Sequence, residues 1–304
     1  MKLCKASATD KEILYKQWKE AFEHDDGGSI DHYFSAYYNP NQCYMLKDGD
    51  TILSSLQVHR HVMVLQGKRL EIAFIVGVLT PPAFRKKGYM KKLMDEVLDI
   101  LDHQCLITVL QAYIPEIYEP FGFQKIYRRK KFTIDKSMVP VLSTSGISYT
   151  VDPKDLQTFY KQFTTHFDGY FLRGDNYYEM RFAELKAEGA KVMILKEQGV
   201  VKGYCMFSIE PKHIDIDEIL YVDAVSLLKM VSALLNGKDK VILHVSANED
   251  LNRILPGSSA TLEEYMSVRI NDFDLFNKLF ETRVTTASQA MTLGGKPLWV
   301  HGSQ

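Results

Sequence analysis

A surplus of charge of either sign is missing from this chain. Its 304 residues carry 37 Lys and Arg against 38 Asp and Glu, a formal net charge of −1. Proteins that hold nucleic acid or anionic membrane by bulk electrostatics carry excess positive charge, so neither is expected as a partner. Long hydrophobic runs are missing as well. No stretch approaches the roughly 18 apolar residues that suggest a transmembrane helix. The opening Met1-Lys2-Leu3-Cys4-Lys5 turns polar at once and supplies no apolar leader core, which makes the cytoplasm the expected compartment. Cysteine is scarce, and Cys4, Cys43, Cys105 and Cys205 stand far apart. With no Cys-x-x-Cys pair and no zinc-type spacing, reduced thiols and no bound metal are expected.

What is present is ordinary globular material, 46% hydrophobic and 25% charged, in a chain long enough for two domains. Thr9–Phe22 carries a helical stripe of Ile13, Leu14, Trp18, Ala21 and Phe22, and Ser29–Tyr38 reads as a second helix. Strand signals follow at Cys43–Lys47, Thr51–Leu65 and Arg69–Leu79. The turns Asp48-Gly49-Asp50 and Gln66-Gly67-Lys68 join them into an antiparallel meander. Gly88–Asp102 places Met90, Leu93, Met94, Val97, Leu98 and Leu101 on one helical face. Cys105–Leu110 reads as a buried strand, Ile114–Phe121 as a short helix closed by Gly122, and Phe123–Ile134 as a strand or hairpin.

Residues 136–148, with Pro140 and Ser143-Thr144-Ser145-Gly146, read as a linker. The same order then recurs. Asp152-Pro153 starts a helix, and Asp175–Glu188 forms another. Lys191–Leu195 and Val201–Ile209 make a hairpin, and Glu218–Val222 a strand. Ala224–Leu235 is a helix and Val241–Val245 a strand, with Tyr265–Ile270 and Asp274–Phe280 closing the series.

The chemistry concentrates where a strand ends at Thr80-Pro81-Pro82 and a helix begins behind Arg85-Lys86-Lys87-Gly88. The first amides of a helix lack internal partners and carry about half a positive charge between them. A phosphate placed there gains hydrogen bonds and a favourable dipole. Gly88 leaves room for close approach, and the basic residues add charge. Gly77, inside the preceding strand, marks a bulge. A bulge there would splay the strand from Cys105–Leu110 and open a gap for an extended ligand against the backbone of Val78, Leu79 and Thr80.

The order of elements and the segment Arg85-Lys86-Lys87-Gly88-Tyr89-Met90 resemble the GNAT superfamily of acetyltransferases, whose pattern is Arg/Gln-x-x-Gly-x-Gly/Ala. Met90 stands where a small residue is usual. That departure resembles the Eis-like (enhanced intracellular survival) branch, which has two GNAT-like folds in tandem and then a sterol-carrier-like domain. Here the stretch after the tandem part is too short for a full third domain. The resemblance implies that the backbone amides of Arg85–Met90 hold the pyrophosphate of acetyl-CoA. The segment Ile117-Tyr118-Glu119-Pro120-Phe121-Gly122-Phe123 resembles the family's Tyr-x-x-x-Gly-Phe signature, which implies that Tyr118 protonates the departing thiolate. A thiol near pKa 8.5 and a tyrosine near about 10 are suitably matched. Strand amides near Leu79 are the expected oxyanion donors. In the Eis-like branch the C-terminal carboxylate resembles the base, a role that would fall here to Gln304. Glu71, His59 and His61 are the other candidates.

The matching turn of the second half, Tyr221-Val222-Asp223-Ala224, has no glycine and no basic residue, and Asp223 would repel phosphate. The second fold is therefore expected to bind no CoA and to shape the substrate cleft or support assembly.

The expectations are these: an α/β (α+β) protein of two tandem GNAT-like folds, each a mixed, mostly antiparallel sheet flanked by helices. A catalytic acetyl-CoA-binding domain spans 1–135, a linker 136–148, and a degenerate second GNAT-like domain with a short C-terminal extension 149–304. The activity is acetyl-CoA-dependent N-acetyl transfer to a small-molecule or lysine amine, with a homo-oligomer left open. The alternative is a non-catalytic acyl-CoA-binding or protein-interaction module.

Overall fold

The computed structural model describes residues 1–22 and 28–300. In chain order the first half folds as β1 (Lys2–Lys5), α1 (Lys11–Ala21) and α2 (Ser29–His32). It continues with β2 (Cys43–Asp48), β3 (Thr51–Leu65), β4 (Lys68–Leu79), α3 (Tyr89–Asp102), β5 (Ile107–Leu110) and β6 (Gln124–Asp135). The second half follows as β7 (Ile147–Ser148), α4 (Pro153–Phe163), β8 (Tyr170–Phe171), α5 (Tyr177–Ala187), β9 (Lys191–Glu197) and β10 (Val200–Ile209). It closes with β11 (Ile214–Tyr221), α6 (Ala224–Leu235), β12 (Lys240–Ser246), β13 (Ser259–Ile270), α7 (Phe273–Phe280) and α8 (Ala287–Met291). No described helix is long and apolar enough to cross a membrane. No group of three or more His, Cys, Asp or Glu among the described residues is arranged to hold a metal ion.

The chain divides into two compact units. The first is Met1–Ile126 with Met266–Leu293, and the second is Tyr127–Tyr265 with the segment from Gly294. The expected second fold runs without interruption from 149 to 304. Instead, residues 266–293 lie with the first unit, and residues 127–135 lie with the second. Periodicity within a segment reports its own secondary structure and says nothing about which distant strand it pairs with.

In the first unit the sheet order is β1-β2-β3-β4-β5-β13. The meander β2-β3-β4 is antiparallel, β4 and β5 are parallel, and β13 returns antiparallel along β5. The helix α3 covers one face, because its stripe of Leu93, Met94, Val97, Leu98 and Leu101 packs on Leu56, Val58, Ala73 and Ile75. The other face lies under α1 and the helical turn Tyr33–Tyr37 after α2, where Trp18, Tyr33 and Phe34 pack on Cys43 and Met45. Fully burying each such side chain contributes about 1.5–3 kcal/mol, so the two helical layers fix the orientation of every β4 residue.

The second unit repeats the plan. Its order is β6-β12-β11-β10-β9-β7, with β11 and β12 parallel and the other neighbours antiparallel. One face packs under α6, whose Leu227, Met230, Val231 and Leu234 meet Cys205, Phe207, Ile216 and Leu243. On the other face Tyr160 and Tyr178 pack with Trp299 and Tyr204. There Arg173 is fully enclosed, ion-paired with Glu218 and hydrogen-bonded to the hydroxyls of Tyr178 and Tyr204. A buried charge is tolerable only when it is paired and its donors are satisfied.

Candidate active site

The expected bulge is present in β4. The pairing Gln57↔Val76 is followed by Ser55↔Leu79, so β4 carries one residue more than β3 across this step. Gly77 sits there with φ +59°. A Cβ on it would fall 1.9 Å from Cζ2 of Trp18, so the indole lies where any other residue would project. The ladder between β4 and β5 ends at Ile75↔Leu110, while β4 continues to Leu79. β5 ends at Leu110, so β4 runs on past Ile75 without that parallel partner.

The turn that follows is tied down from both sides. The Ser54 hydroxyl donates to the Leu79 carbonyl at 2.8 Å and lies 2.9 Å from the Thr80 hydroxyl. Arg85 Nε donates to the Thr80 carbonyl at 3.0 Å. Lys86 (φ +61°) and Gly88 (φ +81°) are left-handed, while Lys87 between them is not. Alternation of this kind turns successive amides toward one concavity, a backbone nest suited to an anion. Gly88 is also the N-cap of α3, without a side-chain cap. A Cβ on it would meet nothing within 4 Å, so its glycine character serves the left-handed backbone and leaves the space above it open. The ladder of α3 begins with Lys92 N–H on the Gly88 carbonyl at 3.0 Å. The amides before it are the helix's unpaired donors.

These parts surround one cavity of about 400 Å³. Val78, Leu79, Thr80, Arg85, Lys86, Gly88, Tyr89 and Met90 line it, and so does Tyr118. Of the nine expected cofactor residues only Lys87 is not in the lining; its ammonium lies 5.7 Å from the centre of the Phe84 ring. Tyr118 stands on a 3-10 turn, Pro115–Phe121, closed by left-handed Gly122. Its ring meets Phe123 edge-on at 6.3 Å. Burial pushes its hydroxyl up to about 12, because the phenolate loses hydration there.

Ala21, Phe22, Phe84 and Ile117 also line the cavity. Phe22 was legible as the end of the α1 stripe, though not as a site residue. Arg269 was not legible at all. Its Nε donates to the Phe121 carbonyl at 2.9 Å, and its guanidinium is ion-paired with Asp102 at the end of α3. It thus joins the turn carrying Tyr118 to the helix that starts at Gly88.

The three base candidates on the meander are not brought to the cavity. His59 is buried with Nε2 2.8 Å from the Tyr33 hydroxyl, and burial lowers both His59 and His61 to about 4. Glu71 is exposed, paired with Val62 far along β4 from Leu79. Strand residues advance about 3.3 Å each, so His59 lies roughly 13 Å along β3 from the Ser55–Leu79 pair. The carboxylate of Gln304 lies outside the described residues.

Residues 3–126 match the family model for the acetyltransferase (GNAT) domain. Among curated proteins none matches the chain. Solved structures share its fold over both GNAT-like units. A probable N-acyltransferase from Enterococcus faecalis is 18% identical, with a TM-score of 0.77 over 88% of this chain and 72% of its own. Eis1 from Mycobacterium abscessus is 15% identical, with a TM-score of 0.70 over 91% of this chain and 75% of its own. A tandem GNAT protein from the clavulanic acid biosynthesis pathway is 12% identical, with a TM-score of 0.56 over 89% of this chain and 99% of its own. The fold is a tandem pair of GNAT-like units, and the cavity described above belongs to the GNAT domain.

Proposed function

We propose that the chain is an acetyl-CoA-dependent N-acetyltransferase that carries acetyl to a primary amine by direct attack within a ternary complex. The observation that carries this reading is a single cavity walled by the open start of α3 at Gly88, the end of β4 and the hydroxyl-bearing Tyr118. Amides of the Gly88 turn would receive the pyrophosphate, with Lys86 adding charge. Met90 does not obstruct this, because backbone makes the contact. The backbone of Val78–Thr80 would align the thioester arm, with an amide near Leu79 directed at the carbonyl oxygen.

In the transfer the amine nitrogen attacks the thioester carbonyl. A C–N bond forms, the C–S bond breaks, and the sulfur takes the proton of Tyr118. With its hydroxyl near 12, Tyr118 holds that proton at every physiological pH and acts as an acid. Among the described residues no carboxylate or imidazole lines the cavity. On this reading the amine enters neutral, and the proton it sheds leaves through solvent. Accordingly kcat/KM rises about tenfold per pH unit below the amine's own pKa near 10. A flat profile above pH 6 would instead place an enzyme base at the site.

The lack of a base among the described lining residues also favours a second reading, a module that binds acyl-CoA without turnover. Two measurements separate them: calorimetric titration with acetyl-CoA, then a screen of amines for release of free CoA thiol. Absence of binding sinks both readings. Binding without thiol release from any amine leaves only the second.

A further inference from the structure

The second unit has a cavity of its own, about 660 Å³, within the range of small-molecule sites, roughly 300–1,000 Å³. It lies between the C-terminal ends of α5 and α6 and the strand ends Lys191, Ile209 and Ile214. Phe182, Leu185, Val192, Phe207 and Leu234 supply its walls. Tyr149 and Ile209 leave large apolar surfaces exposed along it. The only charged residues in the lining are Lys186 and Lys191.

Those two lysines have no carboxylate matched to them among the described residues. Lys196, Lys229 and Lys240 in the same unit are each paired with a carboxylate. Among the described residues neither Lys186 nor Lys191 has an ion pair, and no carboxylate lines the cavity. The helix ends beside them do not offset this charge. The carbonyls of Leu185 and Lys186 accept from Ala190 and Gly189, and those of Ala233 and Leu234 from Asn236 and Gly237. The negative ends of both helices are therefore capped within the chain, and the ammonium groups remain the unmatched polar feature of an apolar groove.

We propose that this groove binds the alkyl chain of a free fatty acid, with the carboxylate held between Lys186 and Lys191. An apolar chain matches the walls, and a single anion at one end matches the charge. A cationic or zwitterionic amphiphile matches only the walls.

The test is calorimetric titration of the full chain with sodium laurate, decanoate and dodecyltrimethylammonium. One laurate is expected per chain, bound about fourfold tighter for each methylene beyond decanoate. The double substitution Lys186→Glu, Lys191→Glu lies on exposed side chains. It should weaken laurate by at least about tenfold while acetyl-CoA binding in the first unit stays unchanged. Ile209→Glu, also at an exposed site, should weaken laurate by blocking the apolar wall. Equal binding of laurate and dodecyltrimethylammonium would overturn the proposal. So would laurate binding unaffected by the three substitutions. Sedimentation gives a further overturning outcome: a dimer that Ile209→Glu dissociates, together with no laurate binding, makes the groove an interface between copies. Affinity for anionic vesicles without affinity for monomeric laurate also overturns it.

Discussion

The turn from β4 to α3 and the turn from β11 to α6 occupy the same place in two copies of one topology, and they solve the helix N-terminus in opposite ways. At α6 the chain supplies its own anion: Asp223 is the N-cap, and its carboxylate accepts from Ser226 N–H at 2.8 Å. That amide bond holds the Asp223 carboxyl below the usual range. At α3 a left-handed glycine leaves the cap empty, three basic residues precede it, and Tyr118 faces the same space. The bulge differs as well. In the first unit it lies at the end of β4 beside the turn, whereas in the second the extra residue is Asp217, well before the end of β11. Topology alone thus builds the frame, and satisfaction of a few amides decides whether the frame can receive a phosphate.

The comparison is broken most directly by giving the first turn what the second has. Gly88→Asp should weaken acetyl-CoA by more than about a hundredfold by calorimetry, since a carboxylate then occupies the anion position. Unchanged affinity would remove the α3 turn from the site. Next, Tyr118→Phe should lower kcat by about a hundredfold, the lower end of general acid catalysis, with KM nearly unchanged. Equal thiol release by both proteins would take Tyr118 out of the reaction. Gly77→Ala should destabilise the fold by about 2 kcal/mol, through left-handed backbone and the clash with Trp18. It is checked by urea unfolding, and restoration by Trp18→Phe would identify the clash as the cause.

The smallest effect belongs to the second turn. Asp223→Ala should cost about 1 kcal/mol at neutral pH, as N-cap deletions do. Because the folded carboxyl is held below its ordinary 3.8, the wild type's advantage is full above that value. It fades as pH falls through the lower folded value. Acid titration of both proteins should therefore converge at low pH, and a constant gap would deny the cap. Neither Asp223→Ala nor Asp223→Gly is expected to create acetyl-CoA binding, because the basic residues and the bulge next to the turn are absent there.

Much of the site was legible because its signals are local. The α3 stripe, the left-handed Gly88 and the Gly77 bulge each follow from a few adjacent residues, and the strand–turn–helix order joins them. The base candidates on the meander lie away from the cavity for a physical reason. Along β3, Ser55, Gln57 and His59 alternate with Leu56 and Val58, a pattern that reads as one face in solvent. The structure buries both faces, one under α3 and the other under Trp18, Tyr33 and Phe34. Gln57 consequently has no solvent exposure, and His59 is held neutral rather than poised for proton transfer. Arg269 was hidden because nothing near it in sequence reveals that its partner is Asp102.

That pairing has a consequence for how the protein is made. Arg269 and Asp102 are separated by 167 residues, and Asn271 reaches across 170 residues to the Leu101 carbonyl. Contacts so distant close slowly, because the loop between them must first be ordered. On the ribosome, the GNAT domain must wait for residues 266–293 before β5 gains its antiparallel neighbour. Until then Ile107–Leu110 forms a bare, largely apolar edge, the kind of surface that seeds aggregation. A fragment ending near residue 135 would carry every residue around the Gly88 cavity and still lack the strand that protects it.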